Sequence, residues 1–283
     1  MTTGAILFAQ NNGGIDYVKL AVHAAKRLQH YLDIPVSIIT DSPGWLEKQY
    51  PDHVFDQIIT LSENVYANQK KTFYDGSLSV KTLEWKNFSR SQVIDLTPYD
   101  RTLVIDSDFI INSSVLKSAL DNDYDFQIYQ NSMDLADYRP VEEFKRISQW
   151  SIPFYWATVF IFNKNTITQS FFDLVSYIKS EWLYFRTLYG ITSTTFRNDF
   201  AFSIAIHIMN GKTNGGFAIE LPGKMIYSMD KDVLINLEDN IMRFLIQKKN
   251  FPGEYNLLKT TGLDVHVMNK MSLSRYIDGG SGV

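Results

Sequence analysis

The segment Thr102-Leu103-Val104-Ile105-Asp106-Ser107-Asp108-Phe109 limits the possible folds more than any other part of the chain. Its apolar, largely β-branched run reads as a strand buried on both faces, the kind found in parallel sheets covered by helices. Strand side chains alternate in direction, so the carboxylates of Asp106 and Asp108, two apart, leave the core on the same side. Such a pair suits a hard divalent cation that keeps open positions for phosphate oxygens. It also suits a turn, where Asp is common.

The flanking residues extend the pattern. Ala5 to Ala9 predicts a short strand ending in Gln10-Asn11-Asn12-Gly13-Gly14, and Asp16 to Leu32 places Val18, Ala21, Val22, Ala25 and Leu28 at helical spacing. Val36 to Thr40 predicts a second strand ending at Asp41, and Gln57 to Leu61 a third, with a weaker helical stretch between them. A helix is expected over Lys81 to Ile94, leading through Thr97-Pro98-Tyr99-Asp100 into the Asp-x-Asp strand. Alternating strands and helices imply an α/β fold, a mostly parallel sheet sandwiched by helices, with ligands beyond the carboxyl ends of the strands. Gln10, Asn11, Asn12, Asp41, Asp106 and Asp108 all fall at such ends.

In the second half, Asp125 to Gln130 and Phe154 to Asn163 predict strands, Thr166 to Leu188 and Asp199 to Met209 predict helices, and Leu237 to Gln247 looks helical. Trp150, Phe154, Tyr155, Trp156, Trp182, Tyr184, Phe185 and Tyr189 crowd this half; core packing explains such rings better than a sugar-stacking platform. His23, His30 and His207 fall on helical stretches and read as structural. Lys+Arg 27 against Asp+Glu 31 gives a net charge of −4, which provides no global attraction to nucleic acid or anionic membrane. The absence of cysteine excludes disulfides and thiolate metal sites. With no basic leader and no membrane-length apolar run, a soluble cytoplasmic protein is expected, with no membrane partner. Residues 1–278 are expected to form one domain, and 279–283, Gly-Gly-Ser-Gly-Val, a linker-like tail.

Taken together, these motifs resemble the metal-dependent glycosyltransferases of the GT-A (Rossmann-like) fold, most nearly the glycogenin-like and lipopolysaccharide galactosyltransferase-like retaining enzymes. There a basic helix leads through a "YDK" turn into "VLYLDSD"; here the text is WKNFSRSQVIDLTPYDRTLVIDSD. The family's "FNAGVLLFN" strand resembles Tyr155 to Asn163, with Trp156 in place of Asn and Thr158 in place of Gly. Its "DQD" resembles Arg197-Asn198-Asp199, and its late His-and-Lys motif resembles Asp264 to Lys270, without the following Pro-Trp.

The resemblance implies a nucleotide-sugar half, 1–112, and an acceptor half, 113–278. It implies Mn²⁺ or Mg²⁺ on Asp106, Asp108 and His266, and a nucleotide-sugar donor, expected to be a UDP-sugar, on Gln10, Asn11, Asn12, Asp41, Arg90, Asp106, Ser107 and Lys270. Trp156 and Thr158 would face the acceptor, and Asp199 and Asn198 would serve catalysis. Such a metal would neutralise the leaving diphosphate as a Lewis acid, with Arg90 and Lys270 adding preorganised positive charge. An inverting base, if one were needed, would come from Asp125, Asp134 or Asp137.

The acceptor stays open between a glycan and a hydroxymethylated base in DNA. Lys70-Lys71 with Lys81, Lys86 and Arg90, or Arg139 with Lys145 and Arg146, could follow a phosphate backbone or simply be solvated faces. Two other classes compete. A haloacid-dehalogenase-type phosphatase also carries Asp-x-Asp after an apolar strand, though on its first core strand and with a later Gly-Asp-x-x-x-Asp that this chain lacks. A non-catalytic nucleotide-sugar or nucleic-acid binding module would use the same fold without needing His266 or Asp199.

Overall fold

The computed structural model describes residues 1–61, 69–86, 90–137 and 144–279. The chain begins with β1 (Thr3–Ala9), α1 (Tyr17–Leu32), β2 (Val36–Thr40), α2 (Pro43–Gln49) and β3 (Ile58–Thr60). On α1, Val18, Ala21, Ala25, Leu28 and Leu32 share the buried face, so the helical spacing in the sequence becomes a packing surface on β1 and β2. Asp16 caps the helix by accepting the Lys19 N–H at 3.0 Å, and Asp33, at φ 57°, ends it in the left-handed conformation.

Next come β4 (Lys70–Asp75) and β5 (Ser79–Glu84), paired as an antiparallel hairpin, and then the short α3 (Val93–Leu96). The hairpin corrects the helix expected from Lys81; residues 87–89 of that stretch lie outside the described residues. Asp75-Gly76 is a hairpin-turn dipeptide, and Gly76 takes φ +71°, which turns the chain back on itself.

β6 (Arg101–Asp106), β7 (Phe109–Ile110), α4 (Lys117–Leu120), β8 (Phe126–Tyr129) and β9 (Ser132–Asp134) follow. Then come β10 (Trp156–Asn163), α5 (Thr166–Ser180), α6 (Trp182–Leu188) and α7 (Asn198–Met209). The single helix expected over Thr166 to Leu188 is therefore two, interrupted at Glu181. The last elements are β11 (Ile219–Glu220), β12 (Met225–Ser228), β13 (Val233–Glu238), β14 (Ile241–Gln247), β15 (Tyr255–Thr261), β16 (Val265–Val267) and α8 (Lys270–Gly279). β14 replaces the helix expected near Leu237 to Gln247. Met242, Phe244 and Ile246 alternate with less buried neighbours, a period of two that a strand hides on one face.

Among the described strands, seven form the central sheet in the order β11-β8-β10-β6-β1-β2-β3. Only β10 runs antiparallel within it, between β6 and β8, so the sheet is mostly parallel as expected. Helices flank it, α1 against β1 and β2 and α7 against β10. One apolar core runs from Ala5 to Tyr227, so residues of both expected halves share it. A second sheet, β7-β16-β12-β9, and a three-stranded one, β13-β14-β15, enclose a smaller core. Of the aromatic crowd, Phe154, Trp156 and Phe185 are buried, Tyr155, Trp182 and Tyr189 pack partly buried against the core, and Trp150 and Tyr184 are exposed.

His23 packs on α1 with its Nε2 buried and unpartnered, and burial together with the nearby Arg27 and Lys26 charges pushes its imidazole down to about 4. In an unfolded chain the group titrates near 6.5, so between these values the unfolded state binds the extra proton and stability falls with acidification. The contribution is complete above about pH 6.5 and, at about 1.4 kcal/mol per pH unit, is worth on the order of 3 kcal/mol. Denaturant unfolding from pH 4 to 7 should show this slope in the wild type and a flatter one in His23→Leu; parallel profiles would remove His23 as the cause.

Candidate functional site

The parallel strands deliver their carboxyl ends to one edge, and the chain leaves β6 there through Asp106, Ser107 and Asp108 before β7. His266 is 158 residues further on, yet β16 pairs antiparallel with β7 so that His266 stands opposite Phe109. The Val267 N–H donates to the Asp108 carbonyl at 2.9 Å and locks that register. His266 Nε2 consequently lies 3.2 Å from Asp108 Oδ2. Asp106, Asp108 and His266 each offer a ligand atom, all within 4.8 Å of one another.

Two cations hold the carboxylates. The Arg90 guanidinium donates to Asp106 Oδ1 and to the Ala157 carbonyl, and the Lys270 ammonium pairs with Asp108 Oδ2. α8 starts at Lys270 because Asn269 turns the chain there, its Oδ1 accepting the Ser272 N–H at 2.9 Å. Burial alone would raise Asp108, but Lys270 and His266 outweigh it and hold the carboxyl far below its usual range. Lys270 is correspondingly raised: burial opposes the shift, and Asp108 reverses it. Asp106 goes the other way, raised by burial and by the Asp108 charge against the pull of Arg90. Strongly perturbed carboxyls with named charge partners in a cleft mark a candidate functional site.

β10 supplies the facing wall. Its pairing with β8 shifts register between Trp156 and Phe160, a bulge that takes Ala157 and Thr158 out of the regular ladder. The freed main chain is used at once: the Ala157 carbonyl accepts from Arg90, and its N–H donates to Asp199 Oδ1 at 3.0 Å. Asp199 Oδ2 accepts from Arg197 at 2.9 Å, and its carboxylate ties the first turn of α7 to the bulge instead of capping that helix.

These groups surround a cavity of about 550 Å³ that contains Gln10, Arg90, Asp106, Ser107, Asp108, Trp156, Thr158, Asn198, Asp199, His266 and Lys270 among its walls. Asn11, Asn12 and Asp41 stand apart from it. Asn11 Oδ1 accepts the Val18 N–H at 3.2 Å, while Asn12 Oδ1 accepts the Gly14 and Ile15 N–H groups and its amide donates to the Glu84 carbonyl. Asp41 pairs with Lys86 at 2.9 Å. Asp125, Asp134 and Asp137 are likewise not among the wall residues. Asp125 accepts from Asn165 at 2.5 Å.

Sequence pattern offered no reason to assign a role to Tyr17, Trp85 and Asp230, or to Arg197 beyond its place in the Arg197-Asn198-Asp199 motif, yet all four line the cavity, and it left Lys70 and Lys71 between a phosphate-backbone track and a solvated face. Lys70, Lys71 and Lys86 instead converge on the cavity with Arg90, while Arg139 lies outside the described residues. The Asp75-Gly76 turn was the available signal, since a hairpin there carries Lys71 back toward the sheet edge. Lys71 is an exposed residue on the cavity wall, where desolvation by the surrounding groups and the Lys270 and Arg197 charges bring its ammonium down to about 8. Asp230 is raised, chiefly by desolvation.

No protein-family model matches the sequence, and a search of curated proteins finds no relative. Solved structures do show likeness. The glycosyltransferase GlyE of Streptococcus pneumoniae TIGR4 aligns over 78% of this chain at 15% identity and a TM-score of 0.42. The galactosyltransferase LgtC, in complex with donor and acceptor sugar analogs, aligns over 77% of this chain and 72% of its own at 13% identity and a TM-score of 0.45. An active-site mutant of LgtC gives a TM-score of 0.48 at the same identity and coverage. The chain spans less than half of GlyE, 46% of its length.

Proposed function

We propose that this chain is a metal-dependent, retaining glycosyltransferase of the GT-A type, moving a sugar from a nucleoside diphosphate donor, expected to be a UDP-sugar, to an acceptor hydroxyl. The observation that carries the reading is the meeting of Asp106, Asp108 and His266 at a strand-end cavity that also holds Arg90 and Lys270. Two carboxylates and one imidazole form a donor set that fits Mn²⁺ or Mg²⁺, and His266 presents Nε2 to the cluster while its Nδ1 is buried and unpartnered. A bound divalent ion would supply Lewis-acid stabilisation of the leaving diphosphate.

The chain's own groups do the rest. Arg90 is oriented by the Ala157 carbonyl and Lys270 by Asp108, so their positive charge stands ready for diphosphate oxygens without reorganisation. Asp199 is fixed by Ala157 and Arg197 on the wall that Trp156 and Thr158 share, the wall assigned to the acceptor. Asp125, Asp134 and Asp137 are not among the cavity walls whereas Asp199 and Asp230 are, so retention rests on the resemblance of the motifs and is tested by the product's anomeric configuration. Gln10 and Ser107 border the donor end; Asn11, Asn12 and Asp41 support that end through the bonds given above.

A panel of nucleotide sugars with Mn²⁺ should release free nucleotide from at least one donor, and excess chelator should abolish that release. NMR of the transferred sugar's anomeric proton should show the donor's configuration. Turnover undiminished by chelator would overturn the metal assignment, and an inverted product the stereochemical one.

A further inference from the structure

The cavity walls carry six cations, Lys70, Lys71, Lys86, Arg90, Arg197 and Lys270, against four carboxylates, Asp106, Asp108, Asp199 and Asp230. This is a positive pocket in a chain whose net charge is −4. The pairing is uneven. Arg90 is matched by Asp106, Lys270 by Asp108, Arg197 by Asp199, and Lys86 by Asp41 outside the walls. Among the described residues, Lys70 and Lys71 form no ion pair, and Asp230 is the only wall carboxylate left to answer them.

Lys71 is nevertheless held in place. It follows Lys70 at the start of β4, and its ammonium lies 5.1 Å from the centre of the Trp85 ring and 5.7 Å from that of Phe73. Phe73 is buried in the smaller core, which makes the hairpin a firm support for the charge above it. A cation braced on two rings, exposed to a cavity and repelled by Lys270 and Arg197, is arranged to receive an anion.

We propose that Lys71, with Lys70 beside it, forms an anion subsite for a phosphate or carboxylate group on the acceptor, so that the preferred acceptor is an acidic saccharide. This rests on the glycosyltransferase reading above. Lys71 feels the charge of Arg197, which holds Asp199 on the wall assigned to the acceptor, as well as those of Lys270 and Asp108; the diphosphate already has Arg90 and Lys270, which leaves the Lys71 charge for the acceptor.

Calorimetry tests the subsite on the full chain with UDP and Mn²⁺ present, using glucose 6-phosphate against glucose as probes. Glucose 6-phosphate should bind at least tenfold more tightly than glucose. Lys71→Gln should erase most of that preference, and Lys71→Arg should restore it, while UDP affinity changes less than twofold. Equal binding of the two sugars overturns the subsite. A Lys71→Gln loss confined to UDP affinity also overturns it, assigning the lysine to the donor diphosphate. Binding of a single-stranded DNA dodecamer in place of glucose 6-phosphate overturns it in favour of a nucleic-acid backbone. If UDP does not bind, the glycosyltransferase reading fails separately, and the Lys71-dependent preference measured without UDP still decides the anion subsite.

Discussion

Asp108→Asn is expected to lower nucleotide-sugar turnover by about 10²–10³-fold at saturating Mn²⁺, the scale seen when one preorganised electrostatic group is removed from an active site. The substitution keeps the shape of the side chain but removes the charge that Lys270 and His266 hold in its ionised form. It leaves a 14% exposed lysine side chain facing a neutral amide, so some loss of thermal stability accompanies the loss of turnover. The two effects separate if activity is measured well below the melting temperature of the variant, with circular dichroism showing the fold retained. Turnover within threefold of wild type would end the assignment of Asp108 to the reacting centre. The sign with pH follows as well. The carboxyl is depressed in the fold, so its stabilisation is present above the ordinary Asp value, near 3.9, and is lost as pH falls further.

Phe160→Ala should cost about 3–5 kcal/mol, the range for truncating a buried aromatic residue to Ala. Phe160 is fully buried on β10, with ring centres of Phe126, Phe162, Phe172 and Phe202 between 5.0 and 6.2 Å away. Four rings anchored on β8, β10, α5 and α7 cannot collapse into the space together, so a cavity remains. The melting temperature should fall on the order of 10 °C for a chain of this size. Calorimetry checks it, and a fall of less than about 2 °C would show that this cluster is not a close-packed core. Because Trp156 and Thr158 lie on the same strand, turnover should fall with stability, in contrast to Asp108→Asn, where it falls much further.

Several parts of the fold were legible from local pattern alone. Helical spacing with a capping Asp16 marks α1, and short, mostly apolar runs rich in β-branched and aromatic residues mark β2, β6 and β10, because burial of one stripe leaves a periodic trace and burial of both faces an unbroken apolar one. The hairpin of β4 and β5 and the strand β14 were missed where a short apolar alternation was read as helical. Asp75-Gly76 in the first case and Met242, Phe244 and Ile246 in the second carried the correct period.

The α/β alternation and the two carboxylates at the end of β6 follow from local residue pattern, since both depend on residues adjacent in the chain. The motif resemblance implied that His266, Arg90 and Lys270 join them, and the tertiary contacts show how. The β7–β16 pairing brings His266 to Asp108, the bulge in β10 frees Ala157 for Arg90 and Asp199, and the hairpin carries Lys71 into the cavity. Tertiary structure also withdrew Asn11, Asn12 and Asp41 into main-chain and lysine bonds. Polar side chains at a strand end look alike in a sequence, and whether each faces a ligand or a neighbouring backbone group is settled by contacts between segments far apart in the chain.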